Sequence, residues 1–269
     1  MKIIHITDIH VRPRGETIYG VDSAARLATI VEDVNARHAD ADLVAVTGDL
    51  THYGEPEAYE ILADLTGRLT VPVKLLLGNH DDRANFRARF PEAPVDGNGF
   101  VQSFIDAPGA IGRLVFLDTH EAGWSGGRFC EQRLAWLDQT LSEAGERPAT
   151  IFMHHPPLPF GVAHFEKICL HEPEAFLARL KAHPGGIRHL FIGHIHLPLT
   201  GVLPGGIPFT AGRGCSHQIV LEPGSPDCTW AAGVANYNII ELGEDSLFVH
   251  SFDKIGVESI GIGNYPPGP

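Results

Sequence analysis

Short apolar runs alternate with amphipathic stretches along most of the chain. KIIHIT (2–7), DLVAVTG (42–48) and VPVKLLLG (71–78) read as buried strands because they are rich in aliphatic and β-branched residues. Between them, residues 21–38 and 55–69 repeat their apolar positions with a helical period. This alternation predicts parallel strands that are joined by helical crossovers.

The same alternation continues in the second half, which then becomes richer in strands. Further strands are predicted at 113–119, 149–155, 188–194, 201–212, 216–222, 235–243 and 245–253, and further helices at 83–90, 131–145 and 172–183. We therefore expect one α/β domain over residues 1–253. Its strands from about 200 to 253 are expected to contribute to the second sheet and to pocket or oligomer contacts, and residues 254–269 to form a C-terminal tail.

Polar residues follow five of the predicted strands. They are, in chain order, Asp8 and His10, Asp49, Asn79 and His80, His154 and His155, and His194 and His196. Because the carboxyl ends of parallel strands line one crevice, these side chains should converge. The i, i+2 pairs of Asp8 with His10 and of His194 with His196 would each point one way if the backbone is extended.

These residue types favour a metal site. Aspartate, asparagine and histidine without thiolate suit Mn, Fe(II), Zn or Co better than all-oxygen calcium or magnesium sites. Seven or eight ligands are more than one ion needs, whereas two ions that share a carboxylate account for the number. Each pattern alone could be a polar strand end or a turn, but the ordered set of five indicates a dinuclear metal centre.

Composition narrows the function further. The net charge of −13 argues against a broad nucleic-acid surface, which needs clustered Lys and Arg. No window approaches the roughly 18–20 apolar residues of a membrane span, and the N-terminus lacks the pattern of a signal peptide. The four cysteines form no C-x-x-C pair, which favours reduced thiols. We expect a cytoplasmic protein with no nucleic-acid or membrane partner.

The motifs resemble those of a known family. DIH (8–10), GD (48–49), GNHD (78–81), MHH (153–155) and GHIH (193–196) are similar to the ordered signature of the calcineurin-like metallophosphoesterases. TDIHVRPRGETIYG and PATIFMHHPPLPFG further resemble the class III cyclic nucleotide phosphodiesterase branch, above all its bacterial glycerophosphodiesterases.

This resemblance implies a fold and an activity. The fold is a four-layer αββα sandwich with mixed sheets. The activity is hydrolysis of small phosphodiesters, either glycerophosphodiesters or 3′,5′-cyclic nucleotides, by attack of a metal-activated hydroxide. The branch also suggests a homo-oligomer.

The resemblance also implies residue roles. Asp8, His10, Asp49 and His196 would bind one divalent ion, and Asp49, Asn79, His154 and His194 the other, with Asp49 bridging. His80 would face the substrate phosphate and, with Asp49, carry the catalysis. His217 matches a histidine of the substrate pocket.

Several alternatives stay open. A phosphomonoesterase, including a protein phosphatase, shares the fold, and a non-catalytic scaffold could retain it. His5 is expected in the core, and His155 is expected to be held by the backbone or to support a ligand. His52, His120, His164 and His171 are expected to be solvated, although each could rim the pocket. Asp81 and Asp82 would orient His80 or cap a helix, and residues 160–176 would form a lid or a subunit contact.

Overall fold

The computed structural model describes residues 1–254, so that the predicted tail beyond Lys254 lies outside the described residues. The helices in this part of the chain are α1 Ser23–Arg37, α2 Pro56–Thr66, α3 Arg83–Arg89, α4 Glu131–Ala144 and α5 Glu174–Ala182. The strands are β1 Lys2–Ile6, β2 Leu43–Thr47, β3 Val73–Leu76, β4 Ser103–Asp106, β5 Arg113–Phe116, β6 Gly127–Arg128, β7 Ala149–Phe152, β8 Leu170–His171, β9 Ile187–Ile192, β10 Leu199–Leu203, β11 Ile207–Ala211, β12 Gln218–Ile219, β13 Trp230–Ala231, β14 Asn236–Leu242 and β15 Leu247–Asp253.

Two mixed sheets form the centre of the fold. The first has the order β15-β14-β1-β2-β3, and the second has the order β10-β11-β9-β7-β5-β4. Strands β1, β2 and β3 are parallel, as are β5, β7, β9 and β11. The predicted crossover helices therefore join parallel strands, whereas β4, β10, β14 and β15 pair antiparallel.

Three apolar clusters fill the spaces between four layers, which are helices, the first sheet, the second sheet and helices. Because side chains alternate along a strand, β1 turns Ile4 and Ile6 towards α1 and α2, and Ile3 towards the second sheet. Between the sheets, Ile3 belongs to the same cluster as Phe116 and Phe152. A third cluster joins the outer face of the second sheet to α4 and α5. The four-layer αββα sandwich is confirmed.

The C-terminal strands do not all join one sheet. β10 and β11 extend the second sheet as expected, but β14 pairs with β1 in the first sheet and carries β15 beyond it. β12 and β13 pair with each other in a separate two-stranded sheet. The prediction that the strands of residues 200–253 join the second sheet is therefore wrong for β12, β13, β14 and β15. For β14 and β15, the physical reason is that β2 occupies only one edge of β1 and leaves the other to be paired.

His5 lies between the sheets, where a core residue was expected. Its ring contacts those of Phe152 and Phe191, and its Nε2 is 2.8 Å from Thr47 Oγ1. Burial, with a smaller contribution from nearby His189, lowers the pKa of His5 to about 3. His5 is therefore neutral in the folded protein at pH values at which an unfolded chain protonates it.

We expect stability to fall as the pH drops below about 6.5, because only the unfolded chain then binds a proton at position 5. Between about pH 6.5 and pH 3, the His5 side chain lowers the free energy of unfolding by roughly 1.4 kcal/mol for each pH unit. A His5→Gln variant lacks the group, so its unfolding free energy in urea should fall less steeply between pH 6.5 and 4.5. The exposed His250→Gln is the matched control, and parallel curves for wild type and His5→Gln would contradict the expectation.

No described helix combines the length and the apolar content that crossing a bilayer requires.

Candidate metal centre

The five polar strand ends meet at one edge of the sandwich. Four of their residues offer ligand atoms that all lie within 4.8 Å of one another: Asp8, His10, Asp49 and His196. A second such group consists of His154, His155 and His194. Asn79 lies beside the second group, with its Oδ1 3.2 Å from His154 Nε2. The structure thus brings together residues that are up to 188 positions apart in sequence.

The backbone at these residues is left-handed rather than extended. The φ angles are +54° at Asp8, +49° at His10, +48° at Asp49, +71° at His194 and +51° at His196. The prediction that each i, i+2 pair points one way because its backbone is extended is therefore wrong. β1 and β9 end before these residues, and tight turns then direct the side chains inward. A positive φ is energetically costly for a residue other than glycine, and such backbone strain is concentrated at functional sites.

Backbone hydrogen bonds join the loops that follow β1 and β2. The amide of Asp8 donates to Gly48 O at 3.2 Å, and the amide of His10 donates to Asp49 O at 2.8 Å. Gly78 belongs to the neighbouring loop, where a Cβ would lie only 2.1 Å from Asp49 Oδ1. Only glycine therefore allows this loop to approach the carboxylate so closely.

Asp81 clamps two of the loops. Its buried carboxylate accepts hydrogen bonds from the amides of Leu50, Thr51 and Gly78 at 2.9–3.1 Å, and from the Tyr59 hydroxyl at 3.0 Å. Burial raises its pKa to about 6, with a further contribution from Asp49. Asp81 thus holds the loop after β2 against the loop after β3.

Asp82 has the helix-capping role that was one of the two alternatives for this pair. Its side chain accepts a hydrogen bond from the amide of Asn85 at 2.8 Å, at the start of α3.

The Asp49 carboxylate lies between the two groups. Its Oδ2 is 3.5 Å from His10 Nε2, its Oδ1 is 3.3 Å from His154 Nε2, and the amide of His80 donates to Oδ1 at 3.0 Å. Burial alone would raise the pKa of Asp49, but the adjacent histidines, His154 first, hold it well below its usual range. A permanent negative charge therefore stands at the centre of the site.

The ring nitrogens of the first group fit a cation. His196 donates its Nδ1 hydrogen to His217 O at 2.8 Å, which leaves its Nε2 free to act as a ligand. This Nε2 is 3.1 Å from His10 Nε2 and 3.3 Å from Asp8 Oδ1. Two imidazole nitrogens that face each other beside two buried carboxylates are the chemistry of a divalent metal site.

The second group fits a cation as well. His154 donates its Nδ1 hydrogen to Thr47 O at 2.7 Å, so its Nε2 points at Asn79 and Asp49. Although burial lowers it, the Asp49 carboxylate raises the pKa of His154 to about 9, which shows how strongly this position favours positive charge. His194 Nε2 is buried without a hydrogen-bond partner. Together the residues form a buried His/Asp cluster consistent with two metal ions.

His80 and His52 lie beside the cluster. His80 donates its Nδ1 hydrogen to His52 O at 2.8 Å, and the two rings stack with centroids 4.7 Å apart. His52 Nδ1 is also 3.1 Å from His10 Nδ1. The expectation that His52 is a solvated loop residue is wrong, because the ring is packed between His80 and His10. No feature of the sequence THYG (51–54) indicated that His52 would pack beside the cluster.

The other histidines outside the proposed ligand set differ in their surroundings. His120 is buried rather than solvated, whereas His171 is exposed as expected. His155 hydrogen-bonds Thr119 Oγ1 at 2.7 Å through Nδ1, while its Nε2 is buried without a partner. His164 lines the cavity described next.

A cavity of about 270 Å³ opens onto the cluster. His80 and His217 line it, as the sequence led us to expect. Three further lining residues, Tyr19, Ser125 and Trp230, carried no sequence signal of a pocket. Phe165 and its neighbour Ile168 come from residues 160–176, so this segment forms part of the cavity wall.

Comparisons with known proteins show the family and the fold of this chain. The chain matches the calcineurin-like phosphoesterase family over residues 1–198. It is similar to a probable cyclic nucleotide phosphodiesterase of Rhodopseudomonas palustris, with 42% identity over 82% of this chain and 81% of that protein. It is also similar to a glycerophosphodiester phosphodiesterase of Enterobacter lignolyticus, with 35% identity over 73% and 71% of the two chains. A dimetal phosphatase structure from Danio rerio shares the fold, with a TM-score of 0.72 over 95% and 96% of the two chains and 16% identity.

Proposed function

This chain belongs to the calcineurin-like phosphoesterase family, and we infer that it is a phosphoric diester hydrolase that acts on cyclic nucleotides or glycerophosphodiesters. The observation that carries this inference is the Asp49 carboxylate, which lies 3.5 Å from His10 Nε2 on one side and 3.3 Å from His154 Nε2 on the other. A buried carboxylate between two sets of imidazoles is the arrangement that a pair of metal ions requires.

The ligands are assigned to two ions. We propose that the first ion is held by Asp8, His10, Asp49 and His196, and the second by Asp49, Asn79, His154 and His194. The mutual proximity of the first four ligand atoms supports the first set. The 3.2 Å distance from His154 Nε2 to Asn79 Oδ1 and the unpartnered His194 Nε2 support the second.

The residues around the ions divide the remaining work. The two ions, when bound, would offset the charge of the phosphate and lower the pKa of water so that hydroxide is available near neutral pH. Asp49 holds the two halves of the site together. His80, whose Nδ1 donates to His52 O, would stabilise the transition state or protonate the leaving oxygen through Nε2. His217 forms part of the wall beside the substrate.

The donor set narrows the identity of the metal ions. Imidazole, carboxylate and amide ligands without thiolate favour Mn, Fe(II), Zn or Co.

We also propose that the chain forms a homo-oligomer. Support comes from β10 and β15, the outermost strands of the two sheets, because an edge strand can pair with another chain. Val202 on β10 and Phe248 on β15 are 70% and 60% exposed. Sedimentation analysis of the purified chain tests the oligomeric state.

The two alternative functions would give different results in hydrolysis assays. A phosphomonoesterase or protein phosphatase would prefer monoesters, and a scaffold would hydrolyse neither. Retention of all seven ligand candidates argues against the scaffold.

One set of assays tests the proposed function. Metal-free protein is reconstituted with Mn, Fe(II), Zn or Co and given bis(p-nitrophenyl) phosphate, glycerophosphocholine, cyclic AMP and p-nitrophenyl phosphate. We expect metal-dependent hydrolysis of diesters that exceeds hydrolysis of the monoester, with two ions bound per chain. An enzyme that prefers the monoester, or that is inactive with every metal, would contradict the proposal.

A further inference from the structure

We propose that Tyr19 and Trp230 form a stacking surface for a nucleobase at the outer end of the cavity, and that this surface selects cyclic nucleotides over glycerophosphodiesters. The proposal rests on the proposed function, because it identifies which of the two diester classes fits the same site.

The first observation is a continuous series of rings that begins at the metal cluster. The ring centroid of His196 lies 4.3 Å from that of His217, which lies 4.7 Å from Trp230. Trp230 in turn stacks on Tyr19 with centroids 4.9 Å apart and an interplanar angle of 14°. A phosphate bound at the cluster would therefore have aromatic surface beside it, on the side that leads out of the cavity.

The second observation is the turn that holds Tyr19. Ile18 and Val21 exchange two backbone hydrogen bonds of 2.9 and 2.8 Å, so Tyr19 and Gly20 form a two-residue loop. Both loop residues have a positive φ, +50° and +79°, as in a type I′ turn. Asparagine or glycine suits the first position of such a turn far better than tyrosine.

Core packing does not account for this unfavourable residue. The Tyr19 side chain is 56% exposed, and Trp230 is 36% exposed, so burial of either ring is incomplete. An exposed aromatic residue that is held in strained backbone beside a cavity points to a ligand. Aromatic side chains that stack on bases are a common means of binding nucleotides.

The third observation is the chemistry of the rest of the wall. Beyond the histidines of the floor, Asp49 and Asn79, the described lining residues are Ser125, His164, Phe165 and Ile168, besides the two stacked rings. This outer wall contains no lysine, arginine or carboxylate that would bind the polar substituent of a glycerophosphodiester. A flat, uncharged base matches such a wall, whereas a glycerol moiety has no ring that could stack on it. Because the faces of the rings can also hold a quaternary ammonium group, the comparison substrate is a glycerophosphodiester without a cation.

The variant Tyr19→Asn tests the proposal without harming the fold, because asparagine fits the turn better than tyrosine does. We expect its kcat/KM for cyclic AMP to fall roughly 5- to 150-fold, the range typical of losing one base-stacking ring. Its kcat/KM for glycerophosphoglycerol, a glycerophosphodiester with neither a ring nor a cation, and its metal content should be unchanged. Tyr19→Phe retains the ring and should retain the preference for cyclic AMP. Phe104→Asn is the control, since Phe104 is a partly exposed aromatic residue on β4 and does not line the cavity.

Calorimetric binding of AMP provides a readout that does not depend on turnover, and Tyr19→Asn should weaken it by a similar factor. Equal losses on cyclic AMP and glycerophosphoglycerol, a Tyr19→Phe variant as impaired as Tyr19→Asn, or a loss confined to glycerophosphoglycerol would each overturn the stacking surface. Failure of the wild type on every diester would overturn the proposed function, while weaker AMP binding by Tyr19→Asn would still support the stacking surface.

Discussion

Replacing Asp49 with alanine is expected to abolish diester hydrolysis and to reduce bound metal below two ions per chain. The reason is that the Asp49 carboxylate reaches both groups of ligands, with oxygens 3.5 Å from His10 Nε2 and 3.3 Å from His154 Nε2. The loss in kcat/KM should exceed the roughly 10–100-fold that is typical of residues that only support a ligand. Metal content by elemental analysis and kcat/KM on bis(p-nitrophenyl) phosphate check the result.

Two further variants separate charge from folding. Asp49→Asn retains an oxygen that can accept the hydrogen bond from the His80 amide, but it removes the negative charge. It should fold, as judged by circular dichroism, and still lose metal and activity. Asp64→Asn is the control, because Asp64 is exposed on α2 and only pairs with Arg68. Full metal content and unchanged kcat/KM in Asp49→Asn would refute the bridging role.

Replacing His80 with alanine is expected to lower kcat by about 10²–10⁴ without removing metal. His80 lines the cavity and is held by its hydrogen bond to His52 O. Its ring belongs neither to the group of ligand atoms that contains Asp49 nor to the group that contains His154. Elemental analysis should therefore find the wild-type metal content. The exposed His171→Ala should leave both quantities unchanged.

The way in which the loss of activity depends on the leaving group distinguishes the two possible roles of His80. If His80 protonates the leaving oxygen, the loss should be large for cyclic AMP, whose alkoxide leaves badly, and small for bis(p-nitrophenyl) phosphate. If His80 instead stabilises charge on the phosphate, both substrates should lose activity equally. A His80→Ala enzyme with normal kcat on both substrates would exclude both roles.

Local patterns in the sequence were sufficient for the element types, since each depends on neighbouring residues. The helical period of residues 21–38 gave α1, and the apolar runs ending at Thr47 and Ile192 gave β2 and β9. Parallel strands joined by helices place strand ends at one edge, so convergence of the polar residues could also be predicted. The unpredicted β4 has only four residues and no clear period.

Contacts between distant residues depend on the tertiary structure, because no local pattern encodes them. β14 follows β1 by more than 200 residues, and its place beside β1 depends on which strand edge is unpaired. The same holds for His52, whose packing against His80 follows from the path of the loop after β2. Trp230 lies on a two-residue strand, so no periodicity indicated that it faces the cavity.

The sequence by itself determined the alternation of strands and helices, the order of the candidate ligands and the kind of ion they suit, because residue type and period are local properties. The four-layer fold followed from the resemblance to the family. Only the tertiary structure decided how those ligands are aimed. Left-handed turns at Asp8, His10, Asp49, His194 and His196 direct the side chains, and hydrogen bonds to Asp81 hold two of the loops. Such strained backbone persists only when surrounding contacts fix it, and those contacts come from strands far apart in the chain.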